Sequence, residues 1–462
     1  MCGDGETVYV VWSDTRNGAA DIYFNRSVDG GTTWLEEDVR LDSGAPGAAR
    51  SADPEICCDG EAVYVVWEDA RNGRDDIYFN RSSDGGATWL RGDLRLDADA
   101  PGAAASGDPL VRCADGSLCV VWEDERDGQR DIYARRSPDG GDRWDAEAVV
   151  NTNGRGASFS DRPRIAVSGA RVYVVWHDSR NGSQDIYCNA SSDGGLTWMP
   201  ADRRLDTDAP GAGLSYDPDL AADGERVYVV WGDIRSGGAD VHANASADGG
   251  ATWLATDVRL NTNPAGASYR PQVACDGIDA WAVWVDTRDG LPDIRLSRTG
   301  NGGASWLTAD VRLDTDAPGA ATSEYVKLAV QGERVVAVWE DDRDGSRDIR
   351  FNYSVDGGET FRAADLRLDE DPRGAAESVF PRLLATGRSF YVLWVDSRSG
   401  LGDVYGAPVG LEDDGGGTCG CRRRCRDHRR HRHGKTRRHS ASHRETETHR
   451  HRDPPWRNQP RS

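Results

Sequence analysis

Glu55, Leu110, Arg164, Asp219, Gln272, Lys327 and Arg382 occupy one equivalent position in successive copies of a repeat, and they range over acid, base, amide and apolar chemistry. Two residues earlier stand Asp53, Asp108, Arg162, Asp217, Arg270, Tyr325 and Phe380. Guanidinium groups grip carboxylates in a bidentate fork. Carboxylates move protons or accept hydroxyl hydrogens, and tyrosine adds a ring and a nucleophilic hydroxyl. One ligand breaks the symmetry of a repeat, so binding is expected where the copies differ. The candidates are Glu55, Arg162, Arg164, Asp219, Arg270, Gln272, Lys327 and Arg382, joined by Tyr325. Alternation along a strand is expected to turn the residues on both sides of the intervening position toward one channel.

The elements that position them repeat strictly. An apolar strand ends in Trp12, Trp67, Trp122, Trp176, Trp231, Trp284, Trp339 and Trp394, at spacings of 53 to 55 residues. Such a period marks one supersecondary unit copied eight times, each copy burying its neighbour's face. The second copy shows the unit: a short run at Pro54–Cys58, a turn, Ala62–Trp67, an Asn-Gly turn, Ile77–Ser82, a second turn, then Asp93–Asp97. Val, Ile, Tyr and Phe dominate, so the unit reads as four antiparallel strands. Its second strand is apolar on both faces and must be covered on both sides. Four-stranded sheets stacked about an axis form a β-propeller, which hides sheet edges by closing. The expected fold is therefore an all-β, eight-bladed propeller of four-stranded antiparallel blades. A seven-bladed ring with spare strands and an open solenoid are the alternatives. The blades fall at about 1–44, 45–99, 100–153, 154–208, 209–263, 264–316, 317–371 and 372–412.

The turn Ser82-Ser83-Asp84-Gly85-Gly86-Ala87-Thr88-Trp89 recurs with Asp29, Asp139, Asp193, Asp248 and Asp356, and with Asn301 in a degraded copy. This pattern resembles the Asp box, or bacterial neuraminidase repeat, of the sialidase-like propellers, and covers residues 1 to about 412. The aspartate accepts turn amides and the glycines supply positive φ, which makes the motif structural. The resemblance places these boxes on the rim away from the functional mouth. It extends over sialidases, other glycosidases and plain binding propellers. A sialidase needs three arginines, a tyrosine with a glutamate partner and an aspartic acid/base. By residue type, Arg164, Arg270, Arg382, Tyr325 and Asp219 are the catalytic candidates. The family's Arg-Ile-Pro motif is absent, with Arg162-Pro163-Arg164-Ile165 a loose echo. Glu324 and Tyr325 are adjacent, so a strand sends them to opposite faces. The leading reading is thus a binding or scaffold propeller that presents its mouth to a glycan or protein. A sialidase-like glycoside hydrolase is the alternative and a structural surface module the third.

Two further patterns repeat. Arg16, Arg71, Arg126, Arg180, Arg235, Arg288, Arg343 and Arg398 each follow an aspartate by two residues and precede the aspartate that opens strand three. Eight identical arginines suit a structural clamp between those carboxylates, worth ~0.5 kcal/mol each if exposed. The aspartate pairs Asp97/Asp99, Asp206/Asp208 and Asp314/Asp316 offer oxygens two residues apart, which suits calcium or plain turn capping.

Cys58, Cys113 and Cys275 end strand one in different blades and are expected too far apart to bridge. Cys113 and Cys119 are a candidate pair across one hairpin. The first copy starts at the turn before strand two and the last stops after strand three, so an upstream segment is expected to supply both missing strands. That would also account for the lack of a signal peptide, and the chain is placed outside the cell or at its surface. Residues 413–462 form a Gly- then Arg/His-rich tail that is expected to be disordered. From 415 it holds 15 Lys and Arg against 4 Asp and Glu, a net of +11, which leaves −33 of the total −22 on the rest. The tail reads as a polyanion or metal binder, an appendage, or out-of-frame translation. Only Lys327 and Lys435 are lysines, as GC-rich coding favours. The acidic propeller repels nucleic acid. No apolar run is long enough for a membrane span, and a monomer is expected.

Overall fold

The computed structural model describes residues 1–387 and 389–411. The basic tail expected to be disordered, with Cys419, Cys421 and Cys425, lies outside the described residues. The rest forms eight antiparallel sheets and no helix among the described residues. In blade two, Ser51–Asp59, Ala62–Asp69, Asp76–Ser82 and Leu94–Arg95 pair in chain order. Strand one is not wholly missing from blade one: Cys2–Asp4 pairs with Thr7–Tyr9. Blade eight has three strands, Ser378–Thr386, Ser389–Asp396 and Asp403–Val409. An apolar cluster fills every blade interface. The one that closes the ring joins Val8 and Val10 to Tyr391 and Leu393. The molecule is an eight-bladed β-propeller.

Strand two explains the stacking. Val63, Val65 and Trp67 pack on Tyr9, Ile22 and Phe24 of blade one. Tyr64 and Val66 face Val111, Leu118 and Val120 of blade three. Alternation therefore feeds two cores, and each fully buried apolar side chain contributes about 1.5–3 kcal/mol. Seven of the eight repeat tryptophans are fully buried.

The Ser-to-Trp turns tie adjacent blades together. Asp84 accepts Thr88 N at 2.8 Å and Ser82 Oγ at 2.7 Å, and Gly86 N donates to Ser82 Oγ at 2.8 Å. Those Thr88 bonds hold the Asp84 carboxyl down at about 2. Asp29, Asp139, Asp193, Asp248, Asn301 and Asp356 make the equivalent bonds. Gly86 has φ +82°, and any Cβ there would collide with Phe24 of the preceding blade. Only glycine permits that approach.

The clamp arginines find one partner that the spacing did not suggest. Arg288 Nε and Nη2 donate to Asp286, both at 2.7 Å, while Nη1 and Nη2 reach Asp310, both at 2.9 Å. The second carboxylate therefore precedes strand four, not strand three. It is Asp38, Asp93, Asp202, Asp257 and Asp365 elsewhere, and Glu147 in blade three. Arg398 pairs with Asp396 and lies near Asp371. The same second carboxylate accepts a backbone N–H from the preceding blade's loop, as Asp310 accepts Thr262 N at 2.9 Å. Guanidinium groups also lie over strand-three rings, Arg71 4.1 Å above Tyr78. Most of these clamps are part-buried and that of Arg288 is buried, whereas that of Arg16 is exposed.

Cys58, Cys113 and Cys275 do not bridge one another, but Cys58 is not a lone buried thiol. Cys2 and Cys58 of adjacent blades form a disulfide across a Cα–Cα distance of 6.0 Å. First strands converge toward the axis, so blade-to-blade distances shrink there. Cys113 and Cys119 do not pair; both are free thiols. Cys57 and Cys113 lie 55 residues beyond Cys2 and Cys58, and their thiols are in contact. Under an oxidising glutathione couple, a second bridge is expected between Cys57 and Cys113. Non-reducing tryptic mapping should then show the peptides holding Cys2, Cys57/Cys58 and Cys113 as one cross-linked species. Complete alkylation of Cys57 and Cys113 under those conditions would refute it.

Candidate functional site

Strand one enters each blade through a bulge. In blade two Ala52 faces Glu68 and Glu55 faces Val66, so three steps along one strand match two along the other. At the bulge, Asp53, Asp108, Arg162, Asp217, Arg270, Tyr325 and Phe380 all adopt left-handed backbone, with φ from 48° to 57°. Such φ values cost a non-glycine residue about 1–2 kcal/mol. Seven strained positions at one mouth, none of them glycine, mark a place where side chains are worth that cost.

Across the bulge of blades four and eight the intervening proline is buried while its neighbours are not: Arg162 and Arg164 are both exposed around Pro163, and Phe380 and Arg382 around Pro381. Glu55, Arg164, Asp219, Gln272, Lys327 and Arg382 follow the bulge residues by two. Asp219 Oδ2 accepts Val273 N at 3.0 Å. With its amide turned to suit its neighbours, Gln272 accepts from Lys327 Nζ at 2.9 Å. Burial first, then the charges of Arg382 and Arg164 against those of Asp219 and Glu55, bring Lys327 down to about 8. Charges from blades two, four, five, seven and eight thus meet around the axis.

The bulge residues form the rim, and its two halves differ. On blades two to five the rim is charged. Arg50 joins Asp53 at 3.2 Å, Glu68 at 3.2 Å and Asp75 at 3.1 Å, and Arg162 joins Asp217 at 2.7 Å. On blades six to eight it is aromatic and cationic. Arg270 lies 4.5 Å over the Tyr325 ring, and Phe380 meets that ring edge-on at 6.1 Å, itself 55% exposed. Beneath them the Tyr269 hydroxyl donates to Glu324 Oε1 at 3.2 Å. Arg270 and Arg347 each stand 3.8 Å from Glu324 Oε2. Arg162 thus pairs with Asp217, whereas Arg270 pairs with Glu324 and Tyr325.

Sequence reasoning missed Tyr269, Arg347 and the residue that follows each repeat tryptophan. Glu68 Oε1 accepts Asp108 N at 2.8 Å, Glu340 Oε1 accepts Phe380 N at 2.7 Å, and Glu123 accepts Arg162 N. Each glutamate thus props the next blade's bulge. Burial, opposed by that N–H bond, raises Glu68 and Glu340 and lifts Glu123 to about 8. Burial and Glu324 together lift Tyr269 to about 12. The signal was available: the position after the tryptophan reads Ser13, Glu68, Glu123, His177, Gly232, Val285, Glu340 and Val395.

The aspartate pairs considered for calcium sit elsewhere. Asp97/Asp99, Asp206/Asp208, Asp314/Asp316 and Asp369/Asp371 each join a strand-three aspartate in a three-carboxylate cluster. Every cluster already surrounds a guanidinium. Arg204 Nη2 lies 3.1, 2.6 and 2.5 Å from Asp185, Asp206 and Asp208. Blade three, with Val149 in place of that arginine, has Asn151 in place of the buried aspartate, while blade five has Asn261 beside a retained Arg259. One cation against three carboxylates leaves excess negative charge, and burial first of all lifts Asp97, Asp206 and Asp314 to about 8 and Asp369 to about 7. The native state thus holds protons that unfolded aspartates release near pH ~4. That stabilisation is complete below the unfolded value and is lost as pH rises through 7 to 8. The melting temperature is expected to fall by several degrees between pH 5.5 and 9, with Asp206→Asn flattening the decline. A flat profile for the native protein would contradict this.

No family model matches the chain, and no curated protein matches it. Solved propellers do resemble it. The α-L-arabinanase of Penicillium chrysogenum bound to arabinobiose shares 15% identity over 67% of this chain and 94% of its own, with a TM-score of 0.39. The polysaccharide lyase Uly1 shares 11% over 77% and 90%, with 0.47. The Trypanosoma rangeli sialidase in complex with sialic acid shares 13% over 65% and 53%, with 0.37. The likeness is one of fold.

Proposed function

We propose that the rim of blades six to eight binds a glycan, with Tyr325 and Phe380 as the platform. The observation that carries this reading is the strained aromatic pair beside Arg270, with Phe380 exposed and Tyr325 half-buried. The C–H face of a sugar is weakly positive and stacks on the negative face of an aromatic ring. Arg270, Arg347 and Glu324 supply the few polar groups that orient such a ligand. The set Glu55, Arg164, Asp219, Gln272, Lys327 and Arg382 would receive a chain end that enters the axis. The Cys2–Cys58 disulfide suits an extracellular or cell-surface setting.

One observation favours a second reading, glycoside hydrolysis. The Tyr269 hydroxyl and Glu324 form the tyrosine–glutamate contact that a sialidase-like nucleophile requires. An array of neutral, uronate-bearing and sialylated glycans, beside the matching fluorogenic glycosides, separates the two. Binding without turnover is expected. Turnover abolished by Tyr269→Phe would establish the hydrolase instead, and retention of no glycan at all would sink the binding reading.

A further inference from the structure

On the opposite rim, the interface between blades three and four lacks a ring that every other interface has. The third residue before the repeat tryptophan is Tyr9, Tyr64, Tyr173, Tyr228, Trp281 or Tyr391 in six blades. These rings reach across to the next blade's turns. Tyr173 Oη donates to Gly224 O at 2.8 Å, Tyr228 Oη to Ile278 O at 2.9 Å, and Trp281 Nε1 to Gly357 O at 2.9 Å. Blade seven has Val336 there, but its strand-three partner Tyr353 supplies a buried ring instead. Blade three has Cys119 there, paired with Arg136, and neither carries a ring. A cavity of about 90 Å³ remains, lined by Cys119, Arg112, Arg136, Gly169, Ala170 and Gly194 among others.

We infer that this cavity is a binding site for a monocyclic phenol. Gly169 and Gly194 line it beside Cys119, as Gly224 and Gly249 stand beside Tyr173. Gly169, equivalent to the Gly224 that accepts the Tyr173 hydroxyl, offers a carbonyl at the far end. The Cys119 side chain forms an apolar floor that is 2% exposed, and the Arg136 guanidinium flanks the space where the ring would lie. A void left by an absent ring takes up an aromatic molecule from solution because the lining regains its lost contacts. The hydroxyl adds the hydrogen bond that the sister interfaces make, which selects phenols over bare aromatics.

Titration of the full chain with 3-fluorophenol, followed by fluorine NMR, tests this. One saturable site is expected, displaced by phenol and at least tenfold less well by benzene. Cys119→Tyr should bind no probe and melt several degrees higher. Absence of a saturable site in the native chain, equal displacement by benzene, or undiminished binding by folded Cys119→Tyr would overturn the inference. Should Cys119→Tyr fail to fold, the native chain still decides. Saturating phenol should slow modification of Cys119 by methyl methanethiosulfonate at least tenfold while leaving Cys188 and Cys275 unchanged, and an unaltered Cys119 rate would also overturn it.

Discussion

Arg288→Met is expected to destabilise the propeller by about 3–5 kcal/mol, the cost of leaving buried charges without their partner. Asp286 and Asp310 have side-chain exposures of 0% and 2%, and Arg288 itself only 6%. Methionine keeps the hydrophobic stem and removes the fork, so the loss reports the charge and its hydrogen bonds. Arg16→Met is the internal control. Asp14 and Arg16 are 23% and 34% exposed, and water screens what is left. A loss nearer 1 kcal/mol is expected there. The two variants should also differ with pH. Burial opposes ionisation of Asp310, but the Thr262 N–H and Arg288 outweigh it and hold its carboxyl below the usual range. A carboxyl depressed in this way stabilises the fold above its unfolded value of ~4, and that contribution vanishes as pH falls through the native value. The Arg288→Met deficit should therefore shrink below pH ~4. Urea unfolding followed by tryptophan fluorescence measures both. Equal deficits for the two arginines would show that burial does not set clamp strength.

Tyr325→Gly should separate binding from folding. Tyr325 holds φ at +54°, and Phe380 at +57°. Glycine adopts that backbone freely, so either substitution relieves strain worth about 1 kcal/mol. The same change removes a ring that stacks under Arg270 and meets Phe380. An interfacial aromatic anchor is worth 2 kcal/mol or more when it is a hot spot. The double variant Tyr325→Gly/Phe380→Gly is expected to melt at or slightly above the native temperature while binding an array-selected glycan at least 30-fold more weakly. Calorimetric titration beside a thermal melt gives both numbers. Unchanged affinity would move the site elsewhere. Lost affinity accompanied by a large drop in melting temperature would assign the rings a structural role.

Much of the architecture was legible because it is carried by local periodicity. The tryptophan spacing defines the blades, and the apolar second strand requires cover on both faces. What was not legible depends on geometry across blades. The left-handed bulge is hard to see because Arg162, Arg270, Tyr325 and Phe380 are not residues that announce positive φ. The second clamp carboxylate was hidden by its distance of 22 residues from Arg288 and by the nearer aspartate that opens strand three. The Cys2–Cys58 bridge was overlooked because only equivalent positions in different blades were compared, whereas it joins positions offset by one residue where first strands crowd together. Glu68, Glu123 and Glu340 were passed over because their variation was hidden beside an invariant tryptophan, although it is the same kind of variation that singled out strand one.

Hydroxyl-radical footprinting of the native chain with and without a saturating glycan tests the site most directly. Oxidation of Tyr325 and Phe380 should fall at least fivefold on binding. Val28 and Leu196, 61% and 50% exposed on the opposite rim, should be oxidised as before. Protection of Val28 and Leu196, or unchanged oxidation of Tyr325 and Phe380 with the glycan bound, would contradict a binding mouth on blades six to eight.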